Sequence, residues 1–172
     1  GNFESTEDLA DTLIRLPVDP VQERAGGSYE PRGALRVRVE APSGPLEVVN
    51  THLDASAEDI FRRQEIETVL QLVEGLCEAG ARDGEARVLV GGDLNAEPAS
   101  PTVRGLTGAG WVDAWRDCGE GDGRTYPAAQ PTKRIDYLFL APGGSCSGAE
   151  VLSTAASDHR PLLVTLTPGA AP

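Results

Sequence analysis

Methionine is missing from the 172 residues, and the chain begins with Gly1. A primary translation product starts with methionine, so we expect a processed, trimmed or partial chain. Lysine is nearly missing too: Lys133 is the only one among fifteen basic residues, and the rest are arginine. We read that as genomic base composition before function. No run approaches the roughly 18 consecutive apolar residues of a membrane helix. The N-terminal stretch carries Glu4, Glu7, Asp8 and Asp11, with no basic residue before Arg15. A secretory signal has the opposite charge and an apolar middle, so none is read here, and the compartment stays open. Cys77, Cys118 and Cys146 are odd in number, far apart and without a C-x-x-C. That argues against a zinc site and against a disulfide framework, and we expect small buried hydrophobes instead. Neither G-x-x-x-x-G-K-[ST] nor a strand-linked G-x-G-x-x-G occurs, which leaves little for a nucleotide-binding enzyme. A formal net charge of −12 excludes broad electrostatic binding of nucleic acid. It does not exclude a phosphate at one cationic or metal-bound spot.

What is present reads as one α/β domain over residues 1–172. Residues 1–32 are acidic and broken by proline and glycine, and we expect irregular structure there. Leu35, Val37 and Val39 then alternate with Arg36, Arg38 and Glu40, the period of a half-buried strand. "APSGP" at 41–45 is a turn, and "LEVVNTHL" a second strand paired with the first. Ser56 with Asp59 has the spacing of a capping box, so a helix is expected from there. Ile66, Val69, Leu70, Val73 and Leu76 carry its apolar face, with Gly80 as the stop. "RVLVGG" is a short buried strand. "GWVDAW" at 110–115 is a further strand or turn with core tryptophans. "RIDYLFLAP", "EVLST" and "PLLVTLT" are the closing strands, and the tail "PGAAP" frays.

Polar residues gather where these strands end. "VVNTHLD" holds Asn50, His52 and Asp54; "VLVGGDLNAEP" holds Asp93, Asn95 and Glu97; "SDHRPL" holds Asp158 and His159. Both histidines of the chain lie in these clusters. In extended backbone residues i and i+2 point the same way, so Asp93 and Asn95 are expected to share a direction. A carboxylate beside an amide can take a proton from water, hold a metal and donate to an anionic oxygen, which hydrolysis at phosphorus requires. Asp158 is a hard oxygen donor suited to magnesium. Asp136 lies in an apolar strand, where an unpaired carboxylate costs several kcal/mol, so it needs a partner. We assign it to His159, whose tautomer and basicity it would set. Asn50 reads as a strand-end residue. Asp54, Asp59 and Glu97 read as turn or cap residues, and Arg62 and Arg63 as a solvated helix face.

The order "NTHLD", helix, "GGDLNAEP", "RIDYLF", "SDHRPL" resembles the later motifs of the endonuclease/exonuclease/phosphatase superfamily, over about Gly33 to Thr167. The resemblance implies a four-layered α/β sandwich of two packed mixed sheets with outer helices. It implies magnesium-assisted attack of water on a phosphoester, with manganese as the substitute ion. Asp93 then resembles the aspartate that orients or deprotonates water, and Asn95 the amide that steadies phosphoryl oxygens. His159 and Asp136 resemble the pair that contacts the scissile phosphate, His52 a second phosphate contact, and Asp158 the carboxylate near the metal. The family's earlier asparagine strand and main metal-ligand glutamate are not found, and neither Glu4 nor Glu7 takes that role. We therefore expect a partial domain, lacking its N-terminal strands, with exposed apolar edges and weak magnesium binding. The substrate could be nucleic acid, a lipid head group or a small phosphate. The competing expectation is a non-catalytic, degenerate member that binds a partner through the old cleft.

Overall fold

Strand β3 (Gly44–His52) shows how the sheet is built. Its residues alternate between the two faces: Glu47, Val49 and Thr51 are buried on one, and Leu46, Val48, Asn50 and His52 lie on the other. A glycine at φ 99°, Gly44, closes its turn with β2 (Gly33–Ala41), and the two strands pair antiparallel as expected. A computed structural model describes residues 13–16, 31–41, 43–83, 87–154 and 156–167. The expectations for Glu4, Glu7 and the tail at 168–172 lie outside the described residues. Within the stretch expected to be irregular, β1 (Leu13–Arg15) pairs antiparallel with β2.

After β3 the chain crosses through α1 (Ile60–Asp83) and returns as β4 (Arg87–Asp93), parallel to β3. A helical crossover is the usual way to join parallel neighbours. The helix does not start at Ser56. Residues 56–59 are a bend, Ser56 Oγ bonds Asp54 and the Glu58 carbonyl, and Asp59 precedes the first turn. Nor does it stop at Gly80, since it continues to Asp83. Then follow α2 (Pro101–Gly108), β5 (Val112–Asp113), α3 (Ala114–Cys118), β6 (Asp136–Leu140), β7 (Cys146–Val151) and β8 (Leu162–Leu166). Helix α2 was not anticipated. Its signal is Ser100, whose side chain accepts from Val103 N–H, with Pro101 at the first helical position.

The six-stranded mixed sheet has the order β1-β2-β3-β4-β6-β5, and β7-β8 form a separate antiparallel pair. Helices α1 and α2 cover one face through Ile66, Val69, Val73, Val103 and Leu106, packed on Val49, Val88, Val90, Tyr137 and Phe139. The β7-β8 hairpin covers part of the other face, with Val164 and Leu166 against Leu89 and Leu140. The expected partial sandwich is therefore present as helices, mixed sheet and second sheet; the second sheet is a two-stranded antiparallel hairpin, not a mixed sheet. Beyond the hairpin that inner face is bare: Val37 and Val39 are 42% and 39% exposed.

One cysteine expectation is overturned. Cys118, at the end of α3, and Cys146, at the start of β7, form a disulfide, while Cys77 is free and half-buried. Spacing could not reveal it, because the two residues meet only when the hairpin docks. Arg62 is a second correction. It is buried, and its guanidinium donates to Asp54 O at 3.0 Å, Ser56 O at 2.6 Å and Asp59 Oδ1 at 2.9 Å. The guanidinium thereby satisfies carbonyls of the bend.

Candidate active site

Three neighbouring strands place one polar row across the inner face. His52 of β3 is in register with Asp93 of β4, and Asp93 with Asp136 of β6. Cross-strand partners share a face, so all three side chains look toward the second sheet. The fourth comes from that sheet: His159 lies in the loop between β7 and β8. Its Nδ1–H donates to Asp136 Oδ2 at 2.8 Å, and its Nε2 stands 3.9 Å from Asp93 Oδ2. His52 Nε2 approaches the same Asp93 oxygen from the other side, at 3.5 Å.

The two glycines before Asp93 make this register possible. A Cβ on Gly92, at φ 127°, would stand 1.9 Å from the Thr51 carbonyl, so only glycine fits. A Cβ on Gly91 would press on Leu138 and the Tyr137 carbonyl at 3.0 and 3.1 Å. The close approach is therefore that of the neighbouring strands.

Asn95 is placed differently from the i, i+2 expectation. The strand ends at Asp93, and Asn95 adopts φ 47°, so the extended-backbone argument does not apply to it. Its N–H donates to Asp93 Oδ1 at 2.8 Å, and its side-chain Nδ2 donates to Leu53 O at 2.9 Å. Asn95 thus aims the carboxylate and ties the end of β4 to the end of β3. Asp54, buried just beyond, receives Ser56 N–H at 2.9 Å, and its own N–H donates to the buried Glu65 at 2.8 Å. Asp158 is exposed at the rim and is not part of the closest cluster. Glu97 and Asn50 are also exposed.

The electrostatics follow from burial and from crowding of carboxylates. Burial pushes Asp93 above the usual carboxylate range; the Asn95 N–H opposes, Asp136 adds, and both imidazoles oppose. For His159 burial alone would lower the pKa. The bond to Asp136, and the charges of Asp136, Asp93 and Asp158, outweigh it and raise the value above ordinary imidazole. Among the described residues these carboxylates have the two imidazoles as their ion-pair partners. Donor atoms of Asp93, Asp136 and His159 lie within 4.8 Å of one another, a set whose hard oxygens suit a divalent cation.

Sequence reasoning missed one neighbour of the cluster. Tyr126, from a loop rich in glycine and proline, lays its ring against His159 with centroids 4.7 Å apart. Nothing in its local pattern announces this contact.

The profile of the Endonuclease/Exonuclease/phosphatase family matches residues 12–159. The chain belongs to the endonuclease/exonuclease/phosphatase family. Solved structures of the family's fold superpose well. The endonuclease/exonuclease/phosphatase from Bacteroides vulgatus has a TM-score of 0.70 and 22% identity, over 94% of this chain and 66% of that one. A mannosyl-6-phosphatase from Bacteroides thetaiotaomicron gives 0.69 and 18%, over 93% and 67%. The catalytic domain of human Nocturnin with bound sulfate gives 0.63 and 18%, over 92% and 61%. At these identities the likeness is one of fold. The chain spans about two thirds of the length of the structures it matches. No curated protein sequence matches it. No described helix is long and apolar enough to cross a membrane.

Proposed function

We propose that this family member is a magnesium-dependent hydrolase of phosphoester bonds, acting as a phosphodiesterase, nuclease or phosphatase. The observation that carries the reading is the imidazole of His159, held by Asp136 at 2.8 Å with its Nε2 toward Asp93. Asp93 takes a proton from the attacking water; its Oδ1 is held by the Asn95 N–H and its Oδ2 faces both imidazoles. The water oxygen bonds phosphorus in line, the bond to the departing oxygen breaks, and no covalent enzyme intermediate forms. Asp136 favours the protonated form of His159, and in that form the imidazole donates through Nε2 to the phosphoryl or departing oxygen. His52, exposed on the far side of Asp93, contacts the phosphate. The second N–H of the Asn95 amide is available to a phosphoryl oxygen.

Asp93, Asp136 and the rim carboxylate of Asp158 offer the oxygens that would hold magnesium, or manganese in its place. When bound, the ion supplies Lewis-acid neutralisation of phosphoryl charge. We further take residues 1–172 as the later part of the domain, its opening strands and their glutamate lying outside the chain. The bare inner face at Val37 and Val39 supports this. Nucleic acid, lipid head groups and small phosphates are all candidate substrates; an acidic chain favours the smaller ones.

The test is turnover of a generic phosphodiester and phosphomonoester with added magnesium. Asp93→Ala and His159→Ala should each lower it by about 10²- to 10⁴-fold. If both variants keep wild-type turnover, the site assignment is wrong. Magnesium titration by calorimetry separates the competing reading, a degenerate member that binds without catalysis. Specific uptake favours the enzyme, and none favours the binding protein or a partial domain without the family's metal-ligand glutamate.

A further inference from the structure

Two loops meet beside the cluster. One follows α3 and leads into β6; the other joins β7 to β8 and carries His159. Three hydrogen bonds zip them together. Arg160 N–H donates to Thr125 O at 2.8 Å, Ala128 N–H to Asp158 O at 2.7 Å, and Arg160 Nε to Ala128 O at 2.8 Å. Within this zip the Tyr126 ring meets the His159 imidazole, with the planes inclined at 43°.

Tyr126 is itself held. Its N–H donates to Lys133 O at 3.1 Å, and its carbonyl accepts from Thr132 N–H and Lys133 N–H, both at 2.8 Å. The ring therefore springs from a fixed point. His159 is less constrained on its own. It sits in a loop where Ser157, Asp158 and Pro161 are exposed, and it is only half-buried. A single bond at Nδ1 leaves the imidazole free to swing, because the torsion about an sp³–sp² bond is broad. A flat aromatic surface against the ring removes that freedom. Aromatic contacts of this kind contribute beyond the area they bury.

We propose that Tyr126 is a positioning residue for His159, holding the imidazole so that Nε2 faces Asp93. The role belongs to the ring face and not to the hydroxyl, so phenylalanine should replace it and alanine should not. The consequence for rate rests on the phosphoester-hydrolase reading; the consequence for the imidazole does not.

The test pairs spectroscopy with kinetics on the same proteins at one fixed pH. With only His52 and His159 in the chain, two imidazole spin systems are expected, assigned through His52→Gln. Wild type and Tyr126→Phe should both show contacts between the aromatic ring and the His159 ring, with Nδ1 protonated and hydrogen-bonded to Asp136. In Tyr126→Ala the ring-current shift should vanish, and the imidazole should average over more than one orientation, with the backbone spectrum elsewhere unchanged. On bis(p-nitrophenyl) phosphate with magnesium, Tyr126→Ala should lose about 10- to 100-fold in kcat at unchanged KM. Tyr126→Phe should keep wild-type kcat. Should the alanine variant not fold, Tyr126→Leu keeps volume without the flat face and carries the same expectations. A His159 signal in Tyr126→Ala identical to wild type would overturn the proposal. So would a rise in KM alone, which would make the ring a substrate contact. Full-length protein without turnover overturns the hydrolase reading while the spectra still decide the role of Tyr126.

Discussion

The two faces of the six-stranded sheet are built differently. Against α1 and α2 the sheet buries a continuous core, with Phe139, Val49, Val90, Val69, Val73 and Leu106 all fully inaccessible. On the opposite face the buried cluster is Leu89, Ala114 and Leu140, ringed by half-buried residues from the hairpin and strand edges. The polar row and His159 sit on that second, thinner face. One side of the sheet supplies stability, and the other carries the polar row, whose fourth member arrives on the loop of the β7–β8 hairpin. Polar side chains left in reach of solvent cannot be packed to crystal density, so the two tasks separate across the sheet.

The largest break in this contrast should come from the dense face. Phe139→Ala should cost about 3–5 kcal/mol in urea denaturation. Leu138→Ala, next along the same strand but on the thin face, should cost about 1 kcal/mol. Equal losses would mean that the faces are not different in kind.

The hairpin is next. Replacing Cys118 and Cys146 together by alanine should cost about 2–4 kcal/mol, because the cross-link closes a long loop. The loss should fall on the thin face, with the His159 signals disturbed before the core amides exchange. A free-thiol count of one in the unfolded, unreduced wild type checks that the link is present. A count of three would remove it.

Asp93→Asn should give a smaller effect of opposite sign. Burial makes the ionised carboxylate costly, and its folded pKa is raised, so removing the charge should raise the melting temperature at neutral pH. A lowered melting temperature would contradict the reading of that carboxylate. Hydrolysis should fall in the same variant.

The smallest effect is one of pH. The folded pKa of His159 is raised, so its contribution to stability is complete below the unfolded value of about 6.5 and is lost as pH rises through the folded value. The stability gap between wild type and His159→Gln should therefore close on the alkaline side. The charges facing His159 are Asp136, Asp93 and Asp158, and these should be kept intact in that comparison. A gap that widened with pH would reverse the assignment.

Much of the frame was legible in the chain. Alternation in β2, the 3.6-residue spacing from Ile66 to Leu76, and the apolar run of β6 all report which side of an element meets water. The pairing of Asp136 with His159 was legible for another reason: a carboxylate in an apolar strand must find a partner, and an imidazole at a polar strand end needs one on its second nitrogen. The misses have local causes. The capping pattern at Ser56 was outcompeted by bonds within the bend, held by a buried Arg62 that sequence assigned to solvent. Asn95 left the extended conformation on which its expected direction depended.

By itself the sequence determined that β2, β3, α1, β4, β6 and β8 form, which of their faces are apolar and which strand ends carry acids, amides and imidazoles, since each follows from the preference of a residue and its near neighbours for water or interior. Only the tertiary structure decided that His52, Asp93 and Asp136 fall in one row, that His159 and Tyr126 reach them from separate loops, and that Cys118 meets Cys146. Those facts depend on strand register and on the docking of one sheet against another. Such contacts between distant residues are selected by the packing of the whole chain and leave no local periodic trace.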